Sequence, residues 1–253
     1  MINFDGLTIS QLKICYKMFS NEATSFNSKE NPIRYVERDG WEYYLIYHKK
    51  DNNYRVLFDP VTLYANIEPS ARDLSSLLKF YNSNFKTLNI SRIVIPIGEV
   101  SKPILFQTIH HMVTLIIDFL PDNKTSVQAR IIDSYRFSFP GSHQSKAIAD
   151  TLSLHYTVKS FKREYLSHQN WLDRQSCCYF TLKVIQTALN DPIQFGGLFV
   201  SSVPSPDTWI YTSHNWLTLY NKREVHENLT EHFQKMAVYN DSTEYLDDIV
   251  EVD

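Results

Sequence analysis

The chain has 253 residues, of which 43% are hydrophobic and 14% aromatic, enough for one full core with appendages rather than two equal domains. Its formal net charge of -3 argues against a nucleic-acid-binding protein, because phosphate contacts need a net basic face. Its three cysteines, two of them adjacent, cannot build a disulfide framework, so we expect the protein to work in a reducing cytosol.

Residues 1 to 62 are predicted to form an extension made of a helix and a hairpin. Apolar residues recur at helical spacing over residues 8 to 19. The segments Trp41 to His48 and Tyr54 to Phe58 are rich in aromatic and β-branched residues and flank a turn-forming stretch, which predicts the hairpin. Charged residues interrupt the first apolar stretch, so we expect no signal peptide. No apolar run approaches the length of a membrane-spanning helix, so we expect no membrane span.

Residues 63 to 240 are predicted to form the main domain. In chain order, the patterns predict a helix that Ser70 or Asp73 caps and that reaches Tyr81, strands at Arg92 to Ile97, Met112 to Phe119 and Arg130 to Asp133, and helices at Ala147 to Leu154, Cys177 to Leu189 and Arg223 to Tyr239. The second strand is almost entirely apolar, which predicts a central strand buried on both faces. The three basic residues between Lys159 and Arg163 are interpreted as part of a solvated face.

A candidate nucleophile stands at the start of one predicted helix. Cys177 begins the apolar helical pattern, and a thiol there feels the positive end of the helix dipole, which lowers its pKa. Upstream lie His111, at the start of the apolar strand, and Asp133, at the end of the next strand. A histidine within reach of a thiol can take its proton, so the order His, Asp, Cys predicts a cysteine hydrolase or acyltransferase.

Four segments carry a resemblance to a known family: Arg92 to Ile97 with its Pro-Ile, His111 to Asp118, Ile131 to Ser134, and Ser176 to Phe180. Over about residues 63 to 190 the chain resembles the CE clan of cysteine proteases. That clan includes the SUMO-specific proteases, the adenovirus protease, bacterial effector deubiquitinases and the YopJ-like acetyltransferases. The resemblance implies an α+β fold with a papain-like core, in which helices flank a central mixed sheet.

The resemblance also implies roles for individual residues. His111 would be the general base, Asp133 would orient its imidazole, and Cys177 would be the nucleophile. The family stabilises the oxyanion with a glutamine side chain and the cysteine backbone N–H, and Gln169 is the candidate for the former. Gln175 and Asn170 are weaker alternatives. This chemistry requires neither a metal nor an organic cofactor.

The chain departs from the family pattern at two positions beside the candidate residues. Met112 replaces the Trp that follows the His and helps to clamp the substrate tail, and Cys178 replaces the Gly that follows the nucleophile. The intervals 97–111 and 119–130 are long, which predicts inserted loops near the site. The sequence leaves His110 and Cys178 as alternative base and nucleophile. It also leaves a structural interpretation, with Cys177 as a small core residue and Asp133 ending a strand.

Residues 241 to 253 contain six acidic residues and no basic ones. Such a tail is typical of a solubilising disordered segment, and it also resembles the C-terminal secretion signals of type IV effectors. Together, the resemblances imply a bacterial effector, secreted into the host cytoplasm, that removes ubiquitin or a ubiquitin-like protein from modified host or effector proteins. The alternatives are a YopJ-like acetyltransferase and a catalytically silent module that binds a host protein.

Overall fold

The computed structural model describes residues 33–64, 72–104, 107–135, 143–169, 177–190 and 192–203, all within the compact unit Met1–Ser205. The helix predicted at residues 8 to 19, the helix predicted from Arg223 to Tyr239 and the acidic tail lie outside the described residues. The division of the chain into an extension, a main domain and a tail therefore stays a prediction.

Eight strands and three α-helices are seen in the described part of the chain. The strands are β1 (Ile33–Arg38), β2 (Trp41–His48), β3 (Asn53–Phe58), β4 (Val61–Tyr64), β5 (Ile90–Ile104), β6 (Gln107–Leu120), β7 (Asn123–Tyr135) and β8 (Thr157–Gln169). The helices are α1 (Arg72–Asn84), α2 (His143–Ser153) and α3 (Cys177–Asn190), and a short 3-10 helix spans Phe199–Ser201.

The strands form one mixed sheet in the order β1-β2-β3-β5-β6-β7-β8, with β4 paired to β5 beyond the end of β3. Strands joined by short turns pair antiparallel, namely β1 with β2, β2 with β3, β5 with β6 and β6 with β7. β3 and β4 each pair in parallel with β5, and α1 lies in the connection that leads to β5. β7 and β8 also pair in parallel, and α2 connects them. A parallel pair needs such a crossover, because the chain must return to the opposite end of the sheet before the second strand can run in the same direction.

The predicted hairpin is confirmed, and a further strand precedes it. β2 and β3 pair from Tyr43 with Phe58 to His48 with Asn53. The preceding turn places Asp39 and Gly40 at φ 53° and 78°, the left-handed conformation that two-residue hairpin turns require. Asp and Gly are two of the residues that adopt this conformation most readily, so the sequence favours a tight turn here.

The main core lies between one face of the sheet and the helices α1 and α2. Alternate residues of three neighbouring strands are fully buried and pack against fully buried residues of these helices. The strand residues are Ile93, Ile95, Ile97, Leu115, Ile117, Ala129 and Ile131, and the helix residues are Leu74, Leu77, Leu78, Ile148 and Leu152. Successive residues of a strand point to opposite faces. Arg92 therefore points away from this core, and it reaches the Ala188 carbonyl in the last turn of α3. Helix α3 thus covers the opposite face.

The predicted inserted loops are absent from the described residues, and that prediction is wrong. β5 continues to Ile104 and β6 begins at Gln107, while a tight turn separates β6 from β7. The intervals are long because the strands are longer than their apolar cores. Polar residues such as Glu99 extend β5, and the first residues of β7 are exposed, so hydrophobicity alone ended these strands too early.

Candidate active site

His111 and Asp133 lie on adjacent strands at one end of the sheet and are in direct contact. His111 stands on β6 and Asp133 on β7, and Nε2 of the imidazole lies 2.7 Å from Oδ1 of the carboxylate. Both side chains are buried, with exposed fractions of 8% and 2%. The Tyr135 ring covers the imidazole, with ring centroids 4.4 Å apart. The imidazole is therefore fixed both by a hydrogen bond and by a ring contact.

Cys177 is the first residue of α3, as predicted, and it is buried. Its thiol interacts with the His111 imidazole. Nδ1, the ring nitrogen that does not face Asp133, is also buried. With Asp133 accepting from Nε2–H, Nδ1 is the atom left to exchange a proton with the thiol.

The surroundings favour a charged histidine beside a charged aspartate. Burial by itself lowers the pKa of His111, but the hydrogen bond to Asp133 and the interactions with the Cys177 thiol outweigh it and raise the pKa to about 10. For Asp133, burial raises the pKa, while the hydrogen bond from His111 and the charges of His111 and Arg163 lower it to about 2. At neutral pH the pair is therefore an imidazolium and a carboxylate.

Arg163 holds the second oxygen of the Asp133 carboxylate. Its Nε donates to Oδ2 at 2.9 Å, and its Nη2 donates to the same oxygen. The guanidinium also binds both oxygens of Glu99, at 2.8 and 2.7 Å, and donates to Oγ of Ser145 at 3.2 Å. The prediction that the basic stretch ending at Arg163 forms a solvated face is wrong for Arg163, because only 11% of its side chain is exposed.

Neither Arg163 nor Glu99 was a predicted site residue. The strand β8 that carries Arg163 contains charged residues on both faces, so its sequence lacks the apolar alternation that marks a half-buried strand. Its position beside β7 follows from the crossover through α2, which no local pattern reveals. A buried guanidinium between two carboxylates is recognisable only once the strands are aligned.

The candidate oxyanion residue lies at the same end of the sheet as His111. Gln169 is the last residue of β8, and its backbone pairs with Tyr135, whose ring covers the imidazole. The structure thus places the Gln169 backbone near the candidate site, while its side chain is outside the description. Of the alternatives, Asn170 and Gln175 lie outside the described residues, as do the side chains of His110 and Cys178.

A second buried ionic cluster lies on the face of the sheet that α3 covers. Arg92 donates from Nη2 to Oδ2 of Asp118 at 3.2 Å, and the two residues oppose each other in the β5–β6 ladder. Nη1 of Arg92 and Nη1 of Arg55 donate to the Ala188 carbonyl, at 2.7 and 3.0 Å. The arginines thus satisfy a carbonyl that the last turn of a helix leaves without an internal partner.

Among the described residues, no three histidine, cysteine, aspartate or glutamate side chains converge in a way that could hold a metal ion. None of the described helices combines the length and the apolar character that crossing a membrane would demand.

Comparisons with known proteins bear on the fold. No family model and no curated protein matches the chain. A crystal structure of the Legionella pneumophila effector protein RavZ aligns with a TM-score of 0.56 at 18% identity, over 89% of this chain and 64% of RavZ. RavZ in complex with human LC3B aligns with a TM-score of 0.52 at 18% identity, over 79% of this chain and 54% of RavZ. The chain thus spans between half and two thirds of the RavZ chains.

The likeness to RavZ shows a shared fold. The predicted fold class is confirmed: the chain is α+β, with a papain-like core in which helices flank a central mixed sheet. The effector protein RickCE of Rickettsia bellii aligns with a TM-score of 0.41 at 16% identity, over 68% of this chain and 58% of RickCE, which is too distant to support an inference.

Proposed function

We propose that the chain is a cysteine isopeptidase that removes ubiquitin or a ubiquitin-like protein from substrate lysines. In this proposal Cys177 is the nucleophile, His111 is the general base and acid, and Asp133 orients the imidazole. The observation that carries the proposal is the contact of one imidazole with both partners, a carboxylate at 2.7 Å on Nε2 and the thiol of a helix-initial cysteine. A buried thiol with only a packing role needs no such histidine.

The first half of the proposed reaction forms a thioester. The Cys177 thiolate attacks the carbonyl carbon of the isopeptide bond that joins the modifier's C-terminal glycine to a lysine. The His111 imidazolium then gives its proton to the lysine amine as the bond to carbon breaks. Asp133 keeps Nε2–H engaged throughout, so the proton moves through Nδ1, and it stabilises the positive charge on the ring.

The second half releases the modifier. The neutral imidazole that remains takes a proton from a water molecule, and the resulting hydroxide attacks the thioester carbonyl. The bond to sulfur breaks, which returns the thiolate and the imidazolium and leaves the modifier with a carboxylic acid, which loses its proton to the solvent. No external oxidant, reductant or cofactor enters this cycle.

The oxyanion of each tetrahedral intermediate needs donors aimed at it. We propose the backbone N–H of Cys177 and the side chain of Gln169. The position of Cys177 at the start of α3 supports the former, because the first N–H groups of a helix have no partner within the helix. The pairing of Gln169 with Tyr135 supports the latter, because Tyr135 packs on the proposed base.

Ubiquitin-like proteins are the proposed substrate class, and two independent considerations support them. The order of the His, Asp and Cys segments resembles a clan that processes such modifiers. In addition, the similar fold of RavZ occurs in a complex with human LC3B, a ubiquitin-like protein. RavZ is a bacterial effector, so the same fold supports a role as an effector in host cells, and the acidic C-terminal tail supports secretion by a type IV-like system.

A panel of modifiers carrying a C-terminal electrophile tests the proposal. The wild-type chain should form a covalent adduct with ubiquitin or with one ubiquitin-like probe, because the thiolate attacks at the position of the scissile carbonyl. Cys177→Ala should form none, and His111→Asn should react far more slowly. Cys178→Ala is the matched control, since it removes the neighbouring thiol and should leave labelling intact.

The panel also separates the alternatives. Labelling that depends on Cys178 would move the nucleophile by one residue. Acetyl transfer from acetyl-coenzyme A without any modifier labelling would identify an acetyltransferase instead. If no probe reacts while a small alkylating reagent still modifies Cys177 rapidly, the thiol is activated for another acyl substrate.

A further inference from the structure

The Asp133 carboxylate has more partners than the imidazole alone. Oδ1 accepts from Nε2 of His111 and from the backbone N–H of Tyr135, at 2.7 and 2.9 Å. Oδ2 accepts from two nitrogens of Arg163. With both oxygens engaged on different sides, the carboxylate cannot rotate without breaking charge-assisted hydrogen bonds, which are the strongest of their kind.

Arg163 is anchored in turn, and the anchor connects four neighbouring strands. Glu99 on β5 accepts two hydrogen bonds from the guanidinium, and only 4% of its side chain is exposed. Glu99 also stands directly opposite His111 in the β5–β6 ladder. His111 on β6 binds Asp133 on β7, and Asp133 binds Arg163 on β8. Because Arg163 also binds Glu99, the contacts end on β5, the strand next to the one that carries His111.

The net charge of Glu99, Arg163 and Asp133 determines how strongly the imidazolium form of His111 is stabilised. A single arginine beside Asp133 would cancel the negative charge that stabilises an imidazolium. Glu99 restores it, because Glu99, Arg163 and Asp133 together carry a net charge of -1 when both carboxylates are ionised. Without Arg163, in contrast, two carboxylates would share a buried region with no cation between them, which disfavours ionisation of at least one.

We infer that Glu99 and Arg163 are positioning residues of the catalytic site, which fix the orientation of Asp133 and keep a net negative charge beside His111. The inference rests on the proposed roles of His111, Asp133 and Cys177. It assigns a function to two residues that contact neither the thiol nor the substrate in the proposed reaction, and it predicts effects that a purely structural ion pair would not have.

The variants Glu99→Gln and Arg163→Lys test the two parts separately. Glu99→Gln removes one negative charge and keeps the shape, so the pKa of His111 should fall. Arg163→Lys keeps the charge but cannot form the two-pronged bonds to both carboxylates, so the pKa of His111 should change little while Asp133 loses its fixed orientation. Both variants should slow labelling of Cys177 by about 10-fold or more, the cost observed when groups that orient metal-ligating side chains are removed.

Glu164→Gln is the matched control. Glu164 is the next residue on the same strand, is equally buried, and binds Arg130 and Lys162 on the other face of the sheet. Its replacement removes a buried carboxylate from an ion pair and should lower stability, but it should leave the His111 titration and the labelling rate at wild-type values. Thermal unfolding gives the stability of each variant, and NMR of labelled histidine gives the titration.

Labelling uses both a modifier probe and chloroacetamide, a small electrophile, so the two proposals can fail separately. Loss of chloroacetamide reactivity in Glu99→Gln and Arg163→Lys, with no modifier labelling even in wild type, would support the positioning role and reject the isopeptidase. Wild-type reactivity in both variants and an unchanged His111 titration in Glu99→Gln, with only a lower melting temperature, would overturn the inference. If Glu99→Gln does not fold, Glu99→Asp keeps the charge with a shorter reach and should slow labelling as Arg163→Lys does.

Discussion

Nε2 of His111 and Oδ1 of Asp133 lie 2.7 Å apart on adjacent strands, although 22 residues separate them in the chain. The two strands form a hairpin, so the distance in sequence closes through a tight turn rather than a long loop. The hydrogen bond selects which nitrogen is left for the thiol, because Asp133 occupies Nε2 and leaves Nδ1. The proposed chemistry depends on this selection, because the thiol and the leaving amine exchange protons with Nδ1.

Replacing Asp133 should cost most of the activity without unfolding the chain. Asp133→Asn keeps the size of the side chain but can present its NH2 group to the ring, which then adopts the wrong tautomer. We expect a loss in activity of about 10⁴-fold, the cost in kcat of the corresponding change in a serine protease. Asp150→Asn, at an exposed position of α2, is the control and should behave as wild type. A loss below tenfold would mean that Asp133 is not the orienting residue.

The activity should decline at alkaline pH rather than near neutral pH. The pKa of His111 is raised to about 10, so the imidazolium persists through neutral pH and activity should fall only as the pH rises through about 10. Asp133, with its pKa lowered to about 2, stays ionised across the whole range. The measurement is kcat/KM from pH 6 to 11, with circular dichroism at each pH to confirm folding. A decline centred near pH 6.5, the ordinary pKa of histidine, would contradict the observed pairing.

The Asp133 variant also tests whether deprotonation of His111 causes the decline in activity at alkaline pH. Asp133→Asn removes the hydrogen bond and the charge that raise the pKa of His111, so the residual activity should decline at lower pH than in wild type. A decline at the same pH as in wild type would show that another group titrates there.

The second ionic cluster should matter for stability and not for chemistry. Asp118→Asn leaves the Arg92 guanidinium buried without its carboxylate, and removing one partner of a buried ion pair costs about 3–5 kcal/mol. Urea unfolding measures this cost, and Asp122→Asn, in the exposed turn after β6, should change the free energy of unfolding by less than about 0.5 kcal/mol. Because Arg92 meets the last turn of α3 rather than its first, the labelling rate of Cys177 in folded protein should be unchanged.

The sequence could predict the elements whose apolar pattern is complete, and the candidate residues that those elements carry. The sequence predicted the order of the core elements from the apolar runs in β5, β6 and β7 and from the helical pattern after Cys177. The resemblance supplied the proposed roles of His111 and Asp133. The strand β8 could not be predicted in this way, because charged residues occupy both of its faces between Lys159 and Glu164 and leave no period-2 apolar signal.

The role of Arg163 could not be predicted for a related reason. Its partner Glu99 lies 64 residues earlier, and the contact depends on the alignment of four strands, which no local pattern contains. A charged residue within a strand is usually solvent-exposed, so the sequence favoured that interpretation. Buried ion pairs of this kind are the part of a site that the sequence alone does not reveal.

The final prediction concerns Met112, which stands where the CE-clan proteases that the sequence resembles have a Trp that helps to clamp the substrate tail. In the structure Met112 is only 6% exposed, its carbonyl accepts from Oγ1 of Thr181 at 3.3 Å, and its methyl group packs near Gly98. An indole in this space must displace its neighbours, and overpacking a filled core costs about 1–3 kcal/mol. Met112→Trp should therefore lower the melting temperature without raising turnover, while Met112→Leu, of similar volume, should leave both nearly unchanged. A faster Met112→Trp enzyme of unaltered stability would show that the indole turns outward and acts as the clamp.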